Sequence, residues 1–340
     1  MPLVFLASAL LIGCLLAVQA SVNQRLSRAV GTPFGAATLQ LLIAGVVLGL
    51  VALATGAVAA MGRVPEVSHW WLLLGGVASP LYITAGILLF PRLGALVAGA
   101  LFVTGQVFAS LGLDLLGLLW VPRRPFGPGI LLGALAVVAG VTVMITGSVS
   151  GRLTRVAVPV HSAAALASGG TRVDAPASPV RQALGTPTAS RLAWTLLGLA
   201  AGAVLPVQGA INSRLEGEIG APLAVATISF VVATATILVV LGTLLTLRRT
   251  PRPQLRPLRT MPWWGWLGGL CAAVYVTVTF LLIPVIGAAV TVALTVTGQQ
   301  VASAVIDHRG VLAMPRRRLT AARAGGLLLL VAGSVLVHWS

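Results

Sequence analysis

An odd number of apolar segments, written twice, constrains this fold more than any other feature of the chain. Ten apolar runs of about 20 residues, a length that crosses a bilayer as a helix, are centred on 3–22, 34–60, 69–90, 94–119, 127–148, 192–211, 223–247, 262–283, 287–306 and 320–339. The last five repeat the first five. LAVQASVNQRLSRAVGTP, from Leu16 to Pro33, returns as LPVQGAINSRLEGEIGAP from Leu205 to Pro222, at an offset of 189. Past the second run the offset becomes 193, a difference of one small loop insertion. Trp70-Trp71, Gly75-Gly76, Tyr82, Pro91 and Gly94-Ala95 then match Trp263-Trp264, Gly268-Gly269, Tyr275, Pro284 and Gly287-Ala288. Thr104-Gly105-Gln106, Ser110 and Asp114 match Thr297-Gly298-Gln299, Ser303 and Asp307, and Gly133 and Gly140 match Gly326 and Gly333. Five crossings reverse the side of the membrane, so the second copy starts from the opposite face. The prediction is an all-α membrane protein with ten transmembrane helices, arranged as two inverted five-helix repeats about a pseudo-two-fold axis in the membrane plane.

Composition supports lipid as the solvent. The chain is 58% hydrophobic and 8% charged, with a mean hydropathy of +1.02, whereas soluble domains carry about 25% charged residues. The net charge of +16 is not gathered into a nucleic-acid-binding element; the arginines lie between the apolar runs, where they orient the chain and meet anionic headgroups. Loops after odd-numbered spans hold 18 of the 22 basic residues; the other side holds Arg63, Arg123, Arg124 and Arg214. The positive-inside rule then places both termini outside and the central linker in the cytoplasm of a cell (inner) membrane. The expected organisation is a first repeat over 1–148, a flexible linker over 149–190 rich in Ser, Pro, Gly and Arg, and a second repeat over 191–340. Cys14 and Cys271 sit in apolar runs at unmatched positions and imply neither a disulfide nor a metal.

Polar side chains in lipid are costly, so the few present are the functional candidates. Gln106 and Gln299 each lie 12 residues into their span, about 18 Å along the helix and hence near the midplane. Each follows a Thr-Gly (Thr104, Thr297) and precedes a Ser and an Asp at i+4 and i+8: Ser110 and Asp114, Ser303 and Asp307. These stripes read either as interhelical glue or as the walls of a central substrate site. Gln19 with Asn23, and Gln208 with Asn212, share a helix face near the ends of their spans. They read as gate or vestibule contacts, or as networks that satisfy helix ends. Asp114 and Asp307 lie at opposite faces, too far apart to share a proton. Both sit at helix C-terminal ends, where the macrodipole disfavours an anion. Each therefore needs a compensating partner, such as Arg123, Arg309 or the N-terminus of the next helix, and each is a gate or coupling candidate. No nucleotide-binding loop, zinc-protease motif or nucleophile elbow is present, so no enzyme and no cofactor are expected.

In these residues the chain resembles the YdcZ-type inner-membrane proteins of the drug/metabolite transporter superfamily. The motifs are Q-x-x-x-N-x-x-L, WW-x-x-x-GG and TGQ-x-x-x-S-x-x-x-D, in the same order in both halves. Family members are often single five-span units, and this chain resembles two of them fused. The resemblance implies a ten-helix bundle with a central cavity. The expected function is a secondary transporter, an exporter of small neutral or zwitterionic organic molecules that works by alternating access. The alternative is a non-transporting membrane scaffold or partner subunit, whose polar stripes would be used up in helix contacts. Membrane lipid and a small-molecule substrate are the expected partners, nucleic acid is not, and a homodimer is among the assemblies allowed.

Overall fold

The computed structural model describes residues 3–121, 123, 125, 127–156, 188–286, 288–312 and 314–339, and among these it is mostly helical, with ten α-helices and no strand. Ten α-helices follow in order: α1 Leu3–Val30, α2 Pro33–Ala54, α3 Ser79–Leu93, α4 Ala95–Leu116, α5 Pro128–Val156, α6 Thr188–Ile219, α7 Pro222–Thr246, α8 Leu267–Ile286, α9 Ala288–Arg309 and α10 Ala321–Trp339. A 3-10 stretch over Trp70–Ala78 leads directly into α3, and another over Trp263–Trp266 leads into α8. Seven segments among the described residues are long and apolar enough to cross a membrane. Helix α5 runs eight residues past 148 and α6 begins at Thr188, so both ends of the segment expected as a linker are helical; 157–187 lie outside the described residues.

The duplicated phrase is a helix stop followed by a helix start. Gly31 and Gly220 take φ of +80° and +71°, which suits a residue without a Cβ. Their amides return to the preceding turn, at Ser27 O (2.9 Å) and Glu216 O (2.7 Å). Pro33 and Pro222 then open α2 and α7, where a missing N–H costs nothing. The first helix of each half is longer than its apolar run. Gln19 and Gln208 each stand 11 residues before the helix end (19 to 30, 208 to 219), or about 16 Å. The helices thus continue well beyond the apolar runs that end near these glutamines. Counting apolar residues stops at the first glutamine, but these polar residues face protein rather than lipid, so the helix continues.

Packing runs chiefly from one half to the other. Helix α5 packs most extensively on α10, α1 on α9 and α8, α6 on α4 and α3, and α2 on α7. The close approaches are made at glycines, and they recur at matched positions. Gly13 and Gly298 face the backbones of Thr295 and Leu10; their counterparts Gly202 and Gly105 face Phe102 and Leu199. A Cβ at Gly133 would fall 2.8 Å from Gly333 O, and one at Gly140 would fall 2.6 Å from Gly326 O. Gly75 abuts Asn212, and Gly268 abuts Asn23.

Candidate functional site

A cavity of about 90 Å³ lies where the two halves meet, room for several waters or one small molecule. Its walls are mostly apolar, and they come in matched pairs: Leu16 with Leu205, Gln19 with Gln208, and Tyr82 with Tyr275. Ile83 faces its counterpart Val276, Ser79 its counterpart Ala272, and Phe230 completes the wall. Among the described residues no charged side chain lines it. Helices α1 and α6 present the glutamines; α3 and α8 present the tyrosines. Tyr82 is held by Phe102, with ring centroids 4.9 Å apart.

The two glutamines differ in their hydrogen bonding. Ser79 Oγ donates to Gln208 Oε1 (2.9 Å), and Gln208 Nε2 donates to Ser229 Oγ (3.4 Å). Asn212 Nδ2 also donates to Ser229 Oγ (3.2 Å). On the other side Ala272 stands in the place of Ser79, and Gln40 in the place of Ser229. Asn23 Nδ2 donates to Gln40 Oε1 (2.7 Å). That bond leaves Gln19 Oε1, Asn23 Oδ1 and Gln40 Nε2 buried without a partner.

The Thr-Gly-Gln stripes contribute less directly than their spacing suggests. Gln299 is buried, and its Nε2 donates to Tyr82 OH (3.3 Å), so it touches the cavity wall from behind. Gln106 is half-buried, and neither glutamine lines the cavity. Thr104 and Thr297 donate their hydroxyls to their own helices, at Ala100 O and Ala293 O (both 2.8 Å). Ser110 is half-buried, whereas Ser303 is fully buried with Oγ unpartnered.

Asp307 is the centre of an inter-half clamp. It is 1% exposed and accepts from Arg323 Nη2 at 2.8 Å. It also accepts the amides of Ala95 (2.8 Å) and Leu96 (3.2 Å) at the start of α4, so that helix's positive end offsets the unfavourable end of α9. Arg317 completes the joint by donating to Leu93 O (2.8 Å), Pro91 O (3.0 Å) and Arg92 O (3.1 Å). The partner is thus Arg323 rather than Arg309, and the helix N-terminus belongs to the other half. The matched carboxylate, Asp114, is half-buried, and the position equivalent to Arg323 is Ile130. A second inter-half contact involves Glu218, which accepts from Ser68 N (2.9 Å) and Ser68 Oγ (2.6 Å) and pairs with Arg214 (3.4 Å). The Arg214 guanidinium in turn lies 5.3 Å from the ring of Trp120.

Sequence reasoning matched Tyr82 with Tyr275 but gave them no role. The signal was present: they are the two tyrosines of the chain, at equivalent positions. Among the described residues no cluster of His, Cys, Asp and Glu could hold a metal.

The chain matches the family described as "Putative inner membrane exporter, YdcZ" over residues 4–166 and 193–336, the two halves in turn. No curated protein matches it. One solved structure, described only as a crystal structure of a protein, aligns over 97% of this chain and 98% of its own, with a TM-score of 0.52 at 18% identity. That likeness concerns the fold alone.

Proposed function

The chain belongs to the YdcZ family of inner-membrane exporters, and from that premise we propose that it is a secondary transporter. It exports small neutral or zwitterionic organic molecules by alternating access between two inverted five-helix repeats. The observation that carries this reading is the cavity, whose walls come in equivalent pairs from both halves. A site on a pseudo-two-fold axis is seen alike from both faces, as alternating access requires. The paired glycine contacts support a two-fold relation between the halves, since those at Gly13 and Gly298 recur at Gly202 and Gly105. Inter-half contacts also join loops that the arginine count assigns to one side. Val30 O accepts from Gln254 N (2.9 Å), and Arg317 meets residues 91–93. These loops are cytoplasmic in the proposed orientation, with both termini outside.

Substrate sits between Tyr82 and Tyr275 in this scheme. Gln299 positions Tyr82 rather than touching substrate. Asp307 with its arginines closes the cytoplasmic end, and the Glu218–Ser68 contact closes the outer end. The test is efflux from proteoliposomes of a panel of uncharged and zwitterionic metabolites. Leu205→Trp fills the cavity and is expected to abolish efflux of any panel member that the wild type moves. Leu196→Trp, at a position exposed on the same helix, is expected to leave efflux intact. Wild-type efflux by Leu205→Trp would remove the cavity from the mechanism.

A further inference from the structure

Resting on the cavity as the transport site, the asymmetry between its two glutamines assigns a recognition residue and a ligand class. We infer that Gln19 recognises the substrate, and that the substrate is an uncharged molecule presenting a carboxamide-like edge, with an N–H donor beside a C=O acceptor.

The walls are symmetric in shape but not in hydrogen bonding. Gln208 is occupied: Ser79 fills its carbonyl and Ser229 receives its amide. Replacement of Ser79 by Ala272 at the equivalent position removes the hydroxyl that would occupy Gln19. Gln19 is 6% exposed and lines the cavity, and no hydrogen bond to it is made among the described residues. Asn23 Oδ1 and Gln40 Nε2 are also unpartnered, but neither residue lines the cavity. A buried polar group without a partner costs about 1–3 kcal/mol, so a site that keeps such a group on one side alone is poised for a ligand that supplies the missing bonds. Gln19 Oε1 lacks a donor, and the amide nitrogen beside it can donate to an acceptor. A half-turn of the Gln19 amide exchanges its oxygen and nitrogen, and a primary amide pairs two-pronged with a matching edge, as glutamine does with adenine. Carboxamides, ureas, lactams and nucleobases carry that edge. Alkyl cations and carboxylates do not, and no charged side chain lines the cavity to offset them.

The experiment uses two probes, benzamide and N,N-dimethylbenzamide, which share ring and carbonyl but differ in N–H donors. Their binding to the full chain in lipid nanodiscs is measured by equilibrium dialysis, with empty nanodiscs subtracted. Wild type is expected to bind benzamide about tenfold more tightly, the value of one hydrogen bond. Gln19→Leu should erase that preference while keeping affinity for the dimethyl probe. Ala272→Ser supplies the missing hydroxyl, occupies Gln19 and should also shrink the preference, without removing any side chain from α1. Gln208→Leu should preserve it. Equal binding of both probes by wild type, or a preference that survives both Gln19→Leu and Ala272→Ser, overturns the assignment while the cavity stands as a site. Binding of neither probe to wild type overturns the assignment together with the transport reading of the cavity.

Discussion

Asp307 shows how much one residue can depend on its surroundings. Its side chain is all but sealed from solvent, as is that of Arg323. Breaking such a pair from either side leaves a charge uncompensated, at a cost of about 3–5 kcal/mol. Asp307→Asn and Arg323→Ile are each expected to lower the thermal midpoint of the purified protein sharply. The double variant should lose far less than the sum, because it copies the Ile130 of the other half at that position. Strict additivity in a double-mutant cycle would mean that the pair does not interact. The need for a partner at Asp307 was legible in the sequence, because an anion at a helix C-terminus requires one. The identity of the partner was not. Matching repeats highlights residues that recur, and Arg323 faces an isoleucine at the equivalent position, so the comparison passes over it. The same blindness hid the role of Ala272, whose importance lies in what Ser79 has and it lacks.

Among the elements, α5 and α10 approach most closely at glycines, at two levels. A side chain at Gly140 would strike the Gly326 carbonyl and the Leu330 backbone (both 2.6 Å). Gly140→Val should force the helices apart and cost about 1–3 kcal/mol, as overpacking does elsewhere. Gly242→Val, in α7 where a Cβ meets nothing within 4 Å, should leave the thermal midpoint unchanged. Equal stability of both variants would mean that the α5–α10 contact does not depend on close backbone approach. At this scale the sequence was most informative. Among the described residues the helical character, the Gly-x-Pro junctions and the matched glycines all follow from apolar run length and repetition. Helix ends were less legible. Polar residues such as Gln19 and Asn23 look like boundaries when lipid is assumed on all sides, yet inside the bundle they face other helices and the helix continues through them. Gln106 and Gln299 erred in the other direction. Position along a span does not say which way a side chain faces, and the cavity is lined by other residues.

For the whole molecule, the main packing surfaces run between the halves rather than within them. The proposed motion of one half against the other would therefore break contacts at one end while forming others at the opposite end. Inter-half contacts lie at both ends: Asp307, Arg317 and Arg323 gather at one, and Arg214, Glu218 and Ser68 at the other. The two closures are chemically unlike, one a buried ion pair on a helix N-terminus and the other an exposed hydrogen-bonded contact. The cavity between them should open to each face in turn, and accessibility from the two faces tests this most directly. In a Cys14→Ala, Cys271→Ala background, Leu205→Cys places a single thiol on the cavity wall. Sealed right-side-out and inside-out vesicles are then exposed to a membrane-impermeant maleimide. Labelling in both vesicle orientations is the predicted result. Labelling from one face alone, with transported ligand present or absent, would contradict alternating access through this cavity.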